Sequence, residues 1–359
     1  MKGYLFWLAL GAGGVAAPAI HAAVNTDENR IYAAALQNQA RLETILVSAP
    51  LHKSTAETAL PVTVIDADAL RERAAKSLGA TLDGSPGVSS ASFGPGVGQP
   101  VVRGQSGPRV RVLQNGTASA DASAVSADHA VTIETMLAES VEILRGPATL
   151  LYGGGAIGGV VNVIDNRIPR EPPKTPLQGA IEQRHDSATD GNTSVFKLEG
   201  GSETLAFHLD GVYRDWNAVD IPGLAFNPAA VDDVDESSDG YIANSDGRNN
   251  SVSAGVSWLF DDGYLGVSIA EMENKYGVPA GGHGHHEEGE EEAEEAEGGI
   301  RIDMRQRRYD VQGEWRELAT TVETMRWHLT YSDYEHSEIE GDGAVGTVFS
   351  NETLSLIHI

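Results

Sequence analysis

Apolar and polar residues alternate with a period of two beyond Leu177, in segments of about ten residues. In the clearest segment, Ser251 to Phe260, one face carries Val252, Ala254, Val256, Trp258 and Phe260. This period places alternate side chains on opposite faces of a strand, so the pattern predicts antiparallel strands. An apolar outer face and a polar inner face are typical of transmembrane β-barrels. The alternative is a soluble β-sandwich, whose apolar faces pack on each other.

The connections between these strands favour the barrel. Short turns near Ser202, Asp261 and Leu318 alternate with longer polar segments, which are Asp186 to Asn192, Asn217 to Gly247, Val278 to Gly299 and Glu340 to Val348. Outer-membrane barrels have short turns on one side and long loops on the other. Residues 177–359 hold about seven strands and the start of an eighth, whereas large plugged barrels have about 22. We therefore expect these residues to be the amino-terminal part of a truncated barrel.

The first half of the chain has a different character. Residues 1–23 join Lys2 to an apolar run and small residues, as in a secretory signal peptide. Residues 24–50 form a polar, alanine-rich lead-in. Residues 51–168 have short Val/Ile-rich runs between glycine clusters and a helical pattern near Ala67 to Leu82, which predicts a small mixed α/β domain. Residues 169–176 are a proline-rich linker.

Composition excludes several functions. The chain has 52 acidic and 25 basic residues, a formal net charge of -27, and no cysteine. This charge argues against nucleic acid as a partner, because binding nucleic acid relies on Lys and Arg neutralising phosphates. Any metal must be bound by His, Asp, Glu or backbone oxygen. We find no nucleophile with a base at catalytic spacing, so the sequence does not indicate an enzyme.

Two glycine-rich segments run from Val102 to Gly116 and from Val141 to Ile164. They resemble the plug signatures of TonB-dependent outer-membrane receptors. The matching residues include Arg103, Gly104, Arg145, Gly146, Pro147, Tyr152, Gly153, Gly158 and Gly159. The second segment lacks the Lys-Ser/Thr pair of a phosphate-binding loop. The resemblance implies a mixed fold, with a small α/β plug domain followed by the first strands of a large antiparallel transmembrane β-barrel. We expect Arg103 and Arg145 to pair with carboxylates on the barrel interior.

A short segment before the plug resembles a TonB box. It consists of Glu43, Thr44, Ile45, Leu46, Val47, Ser48 and Ala49. In the family this segment presents an extended strand to the periplasmic protein TonB, which is an instance of strand addition. The resemblance therefore implies TonB, and outer-membrane lipid around the barrel, as partners.

Two features indicate a metal ion. His283, His285 and His286 precede a run of glutamates, and imidazole is a common ligand of borderline metals. We interpret this segment as a capture loop; the alternative is a solvated acidic loop. Asp128 and His129 lie between the plug signatures and look similar to the Asp-His pair of zinc-uptake receptors of the ZnuD type. Asp121 is a further candidate ligand, whereas His208, His328 and His336 receive no role.

The leading hypothesis is TonB-dependent uptake of a metal ion, with zinc favoured, as transported substrate and not as cofactor. Metal affinity should fall as the pH drops through about 6.5, where imidazole takes up a proton. A metal chelate, haem or copper is the alternative substrate. A passive surface adhesin or phage receptor is the alternative of another class, and it would not need Glu43 to Ala49.

Overall fold

The computed structural model describes residues 61–358 except 74, 154, 226–238, 280–298, 320–321 and 342. The predicted signal peptide, the TonB box and the three histidines of the predicted capture loop lie outside these residues. Within the described part of the chain, no helix is long and apolar enough to cross a membrane.

The amino-terminal domain contains a five-stranded sheet in the order β1-β6-β7-β4-β5. Its elements are β1 (Val62–Asp66), α1 (Ala67–Arg73), α2 (Leu78–Leu82), β2 (Val88–Ser92), β3 (Gly98–Val102), β4 (Val110–Gln114), β5 (Thr117–Ala118), β6 (Ser140–Leu144) and β7 (Gly159–Ile164). β4 and β7 are parallel, the other sheet neighbours are antiparallel, and β2 pairs with β3 in a separate hairpin. The sheet confirms the mixed α/β fold of the plug.

The plug core lies between the central strands and the two short helices. Val141, Ile143 and Val161 are fully buried, and they belong to the same cluster as Leu70 and Leu82 of the helices. Central strands need apolar residues on both faces, which explains the continuous Val/Ile runs in this part of the sequence. The predicted helical segment is two helices in the structure, and Ser77 caps the second by accepting a hydrogen bond from Ala80 N.

The two plug signatures pack against each other. A Cβ atom added at Gly158 would lie 2.6 Å from Cβ of Gln105, and one added at Gly159 would lie 2.9 Å from Cγ1 of Val102. Glycine permits an approach that any larger residue would prevent. The glycine pattern therefore reflects contact between the two segments.

After the proline-rich linker the chain forms an eight-stranded antiparallel sheet, called the wall, in the order β8-β9-β10-β13-β14-β15-β16-β17. Its strands are β8 (Leu177–Asp186), β9 (Gly191–Gly201), β10 (Leu205–Trp216), β13 (Gly247–Phe260), β14 (Gly263–Val278), β15 (Ile300–Ala319), β16 (Val322–Ile339) and β17 (Val345–His358). A small hairpin, β11 (Val219–Leu224) and β12 (Asp239–Ile242), lies between β10 and β13.

The wall has the predicted apolar outer face and polar inner face. Trp258 is 63% exposed and Val256 is 39% exposed, whereas Ser257 between them is fully buried. On β10, His208 and Asp210 are buried on the inner face. The expected barrel-type alternation is confirmed, and with it the predicted order of a plug domain followed by antiparallel wall strands.

One predicted connection is wrong. The sequence suggested a long loop from Asp186 to Asn192, but both residues belong to strands, and residues 187–190 form a tight turn. Asp190 adopts the left-handed conformation that short turns require (φ 45°). Asp186 accepts hydrogen bonds from Ala188 N and from the Thr189 hydroxyl, which explains the polar residues without a long loop.

Buried polar contacts join the plug to the inner face of the wall. Both Arg214 on β10 and Glu134 of the plug are 3% exposed, and their two N–O contacts measure 3.3 Å. At the end of the plug, the backbone at Arg167 lies so close to Gly255 on β13 that an added Cβ would be 1.8 Å from the Arg167 oxygen. The plug is therefore fitted closely against the wall.

Candidate metal centre between plug and wall

The loop from 119 to 132 carries the predicted metal-ligating residues of the plug, and hydrogen bonds to Asp121 stabilise it. One oxygen of Asp121 accepts from Ser123 N, at the start of the 3-10 turn Ala122–Ala124, and the other accepts from Thr132 N at 3.0 Å. The Thr132 hydroxyl also donates to Asp121 at 2.9 Å. These contacts tie the two ends of the loop together, so Asp121 supports the loop that presents His129.

His129 meets two side chains of wall strand β16. Its Nε2 atom lies 3.0 Å from Nε2 of His336 and 3.4 Å from Oε1 of Glu338. Nε2 of His336 lies 3.9 Å from the same Glu338 oxygen. Ligand atoms of a tetrahedral zinc site, with bonds of about 2.0–2.2 Å, are about 3.3–3.6 Å apart. The three atoms therefore have nearly the spacing of three corners of a metal site.

Asp128 orients His129. Its Oδ1 atom lies 2.8 Å from Nδ1 of His129 and also accepts a hydrogen bond from Ser126. A carboxylate on Nδ1 turns the Nε2 lone pair of an imidazole toward a metal, which is a common arrangement in zinc sites. Burial raises the pKa of Asp128, but the hydrogen bonds from His129 and Ser126 outweigh it and lower this pKa well below its usual range. Asp128 is therefore an ionised partner of His129.

The other wall histidines are engaged elsewhere. Nδ1 and Nε2 of His208 lie 2.9 Å and 2.7 Å from carboxylate oxygens of Glu199 and Asp210. Nε2 of His328 lies 2.7 Å from Asp310. Among the described residues, only His129, His336 and Glu338 bring three metal-ligating atoms together.

Comparison with known proteins identifies the plug. Residues 54–160 match the family model of the TonB-dependent receptor plug domain. Residues 54–160 of the chain are therefore a plug domain of the TonB-dependent receptor type.

Similar proteins cover from 38% to 82% of this chain. The probable TonB-dependent siderophore receptor PirA of Acinetobacter baumannii (strain ATCC 19606) is 31% identical over 145 residues, which are 38% of this receptor chain and 18% of PirA. The vitamin B12 transporter BtuB of Photobacterium profundum is 27% identical over 223 residues, which are 61% of the chain and 34% of BtuB. In the solved structures, the Serratia marcescens hemophore receptor HasR has 15% identity and a TM-score of 0.61, over 82% of this chain and 40% of HasR.

These relatives are transport receptors and not enzymes, and members of the family are β-barrel proteins of the outer membrane. The predicted location in the outer membrane is confirmed. The matched part of this receptor spans 18% and 34% of the length of the two curated relatives.

The candidate metal cluster, which consists of His129, His336 and Glu338, lies at the outer end of the wall. The connections 202–204, 261–262 and 320–321 are at one end of the strands, and the longer connections 217–246 and 279–299 are at the other. Short turns face the periplasm and long loops face the outside in this class of barrel. His336 and Glu338 are near the end of β16 that leads to the connection 340–344, on the outer side.

The two signature arginines of the receptor lie close together. Burial and the nearby charge of Arg103 lower the pKa of Arg145. Nη1 of Arg145 donates to the Thr63 hydroxyl, and among the described residues its Nε and Nη2 atoms have no hydrogen-bond partner. The expected pairing of Arg103 and Arg145 with wall carboxylates is not seen within the described ranges, and it stays a prediction.

The sequence predicted His129 and Asp128 as site residues but indicated no role for His336 or for Glu338. His336 and Glu338 are two residues apart on a strand, so both point to the inner face. A His-x-Glu pair at inner positions near an outer loop was the available signal. No local pattern linked it to His129, which is 207 residues away in the chain.

Proposed function

We propose that this receptor takes up zinc across the outer membrane, in the manner of the ZnuD-type receptors that its Asp128-His129 pair resembles. The observation that carries the proposal is the meeting of His129 from the plug with His336 and Glu338 from the wall. Two imidazole nitrogens and one carboxylate oxygen are typical zinc ligands, and three protein ligands leave a fourth position for water.

The environment of the cluster favours a bare ion over an organic chelate. His129 is 5% exposed and His336 is 3% exposed, and the His336 ring stacks on Phe349 at a centroid distance of 5.4 Å. Glu338 is the most accessible ligand, with 28% of its side chain exposed. The ligand atoms face one another at ion-sized spacing, whereas a chelate or haem needs a large pocket lined by aromatic side chains.

The division of the ligands between two parts of the molecule provides a route to release. With the plug in place, an ion is bound by one plug residue and two wall residues. When the plug moves, His129 separates from His336 and Glu338, and the ion loses at least one protein ligand. In this proposal TonB transmits force to the plug through Glu43 to Ala49. The segment with His283, His285 and His286 binds zinc at the outer side of the membrane.

Zinc titration of the purified full-length receptor tests the proposal. We expect His129→Ala, His336→Ala and Glu338→Ala each to weaken binding by more than the about 10- to 100-fold that loss of an outer-shell partner costs. His185→Ala is the matched control, because His185 is an exposed wall histidine outside the cluster.

Equal zinc affinity in the wild type and the three ligand variants would contradict the proposal. Parallel titrations with copper(II) and haem test the alternative substrates. Copper is the nearer rival, because it also favours imidazole and generally binds such sites more tightly than zinc. Tight haem binding that survives all three substitutions would instead favour a chelate receptor.

A further inference from the structure

Two buried tyrosines of the wall lie beside the candidate metal cluster, one next to each of its histidines. Tyr276 on β14 is 1% exposed and Tyr334 on β16 is fully buried. Both belong to an apolar cluster that also contains Ala130 of the plug and Met304 of the wall. Their hydroxyl groups are therefore polar atoms in apolar surroundings, where their hydrogen-bond partners fix their position.

The hydroxyl group of Tyr276 forms hydrogen bonds on both sides of His129. Its hydroxyl oxygen accepts from Ala130 N at 2.9 Å and donates to the Asp128 carbonyl oxygen at 3.4 Å. The two bonded groups belong to the residues immediately before and after His129. On the plug side, a Cβ added at Gly96 would lie 2.7 Å from Cβ of Tyr276, so the glycine allows the plug to press against this side chain. Tyr276 thus fixes the backbone that carries the plug ligand.

Tyr334 contacts the wall ligand directly. Its hydroxyl oxygen lies 2.9 Å from Nδ1 of His336, and the two rings meet edge to face at 5.6 Å. A group at Nδ1 sets which tautomer of the imidazole is present and which way its Nε2 atom faces. Tyr334 therefore contacts Nδ1 of His336 in the way that Asp128 contacts Nδ1 of His129.

The hydrogen-bond directions around the two rings form one consistent chain. The Asp128 carboxylate can only accept, so Nδ1 of His129 donates to it and Nε2 of His129 presents a lone pair. Nε2–H of His336 donates to this lone pair at 3.0 Å, and Nδ1 of His336 then accepts from the Tyr334 hydroxyl. When Nε2 of His336 binds a metal, its proton belongs on Nδ1, and the same hydroxyl oxygen accepts it. A hydroxyl serves both arrangements because it can donate and accept.

We propose that Tyr276 and Tyr334 are positioning residues of the metal site, which orient His129 and His336 from the wall through their hydroxyl groups. The inference rests on the zinc site proposed above. In this inference the wall supplies two ligands and also sets the position and tautomer of the two imidazoles.

The test compares Tyr276→Phe and Tyr334→Phe in the full-length receptor, with Tyr264→Phe as the matched control. Tyr264 is also a buried inner tyrosine, but it belongs to a different apolar cluster with Ile168 and Leu259. We expect zinc affinity to fall about 10- to 100-fold in both site variants and to stay unchanged in the control. Cobalt(II) added in place of zinc reports the ligand geometry by its visible absorption, which we expect to change in Tyr334→Phe.

A purely structural role gives a different result. Tyr276→Phe removes the acceptor of Ala130 N, so it lowers the unfolding temperature, and affinity is measured well below that temperature. Lower stability with wild-type zinc affinity and an unchanged cobalt spectrum in both variants would overturn the inference. If the wild type binds no zinc, or if His336→Ala binds like the wild type, the proposed function itself fails. Tight binding that depends on His336 but not on either tyrosine refutes only the positioning role.

Discussion

Asp128 and His129 are adjacent in the chain but contribute to the site in different ways. His129 faces the wall ligands through Nε2, while Asp128 holds Nδ1 on the other side of the ring at 2.8 Å. The lowered pKa of Asp128 keeps it ionised at every pH at which imidazoles ordinarily titrate, near 6.5. Loss of metal on mild acidification should therefore come from protonation of imidazole nitrogen and not of Asp128.

Replacing Asp128 by asparagine tests this division of roles. We expect Asp128→Asn to weaken zinc binding about 10- to 100-fold, because the ring loses a charged partner while all three ligands remain. Asp190→Asn is the control, since Asp190 lies 3.9 Å from an exposed histidine, His185, outside the cluster. Zinc titrations at constant pH provide the measurement, and an unchanged affinity in Asp128→Asn would refute the orienting role.

At the residue scale the sequence predicted only part of the candidate site. Asp128 and His129 stand out because they lie together between two recognisable signatures. Glu338 is one of 52 acidic residues in the chain, and nothing nearby marks it. Its importance arises from the register of β16 against the plug, where contact depends on packing between distant segments. Such contacts leave no periodic trace in a single sequence.

Among the elements, the last segment of the plug fits a notch in the wall formed by Gly255 and Gly266. A Cβ at Gly255 would meet the Arg167 oxygen at 1.8 Å, and one at Gly266 would lie 2.3 Å from Cγ2 of Ile168. The two glycines are on adjacent strands, β13 and β14. They allow the backbone leaving β7 to lie directly on the wall.

Filling this notch should destabilise the receptor. We expect Gly255→Ala to lower the free energy of unfolding by about 1–3 kcal/mol, because the new methyl group meets rigid backbone. Gly346→Ala is the matched control, since its Cβ would meet only the flexible carboxylate of Glu340. Denaturant unfolding of both variants in detergent gives the comparison. Equal stability of the two variants would show that the notch is not needed for plug docking.

The elements were predicted best where a pattern continues over many residues. The period-two alternation of Ser251 to Phe260 predicted a wall strand and its outer face, because one face meets apolar surroundings along its whole length. The helical pattern from Ala67 to Leu82 did not show where one helix ends and the next begins. The turn at 187–190 was missed because polar residues that cap a tight turn resemble a solvated loop.

For the whole molecule, the proposed function separates metal binding from transport. In this proposal, binding requires only the docked plug and the wall, whereas release requires work on the plug from the periplasmic side. The proposed TonB-binding segment, Glu43 to Ala49, lies outside the described residues.

Deleting Glu43 to Ala49 should abolish growth under zinc starvation and leave zinc binding by the purified receptor unchanged. The reason is that the deletion removes the proposed TonB contact and none of the ligands. A deletion of equal length in the lead-in, Tyr32 to Asn38, is the control. Growth rates in chelator-treated medium provide the measurement, and undiminished growth of the first deletion strain would favour a passive surface role.

The buried pair of Arg214 and Glu134 restricts how the plug can move. Both side chains are 3% exposed, so separating them leaves two buried charges without a partner, at a cost of about 3–5 kcal/mol. His129 is only five positions before Glu134 in the chain. A plug movement that keeps this ion pair intact therefore costs less than one that breaks it, so we expect the chain near Glu134 to stay against the wall when His129 separates from His336 and Glu338.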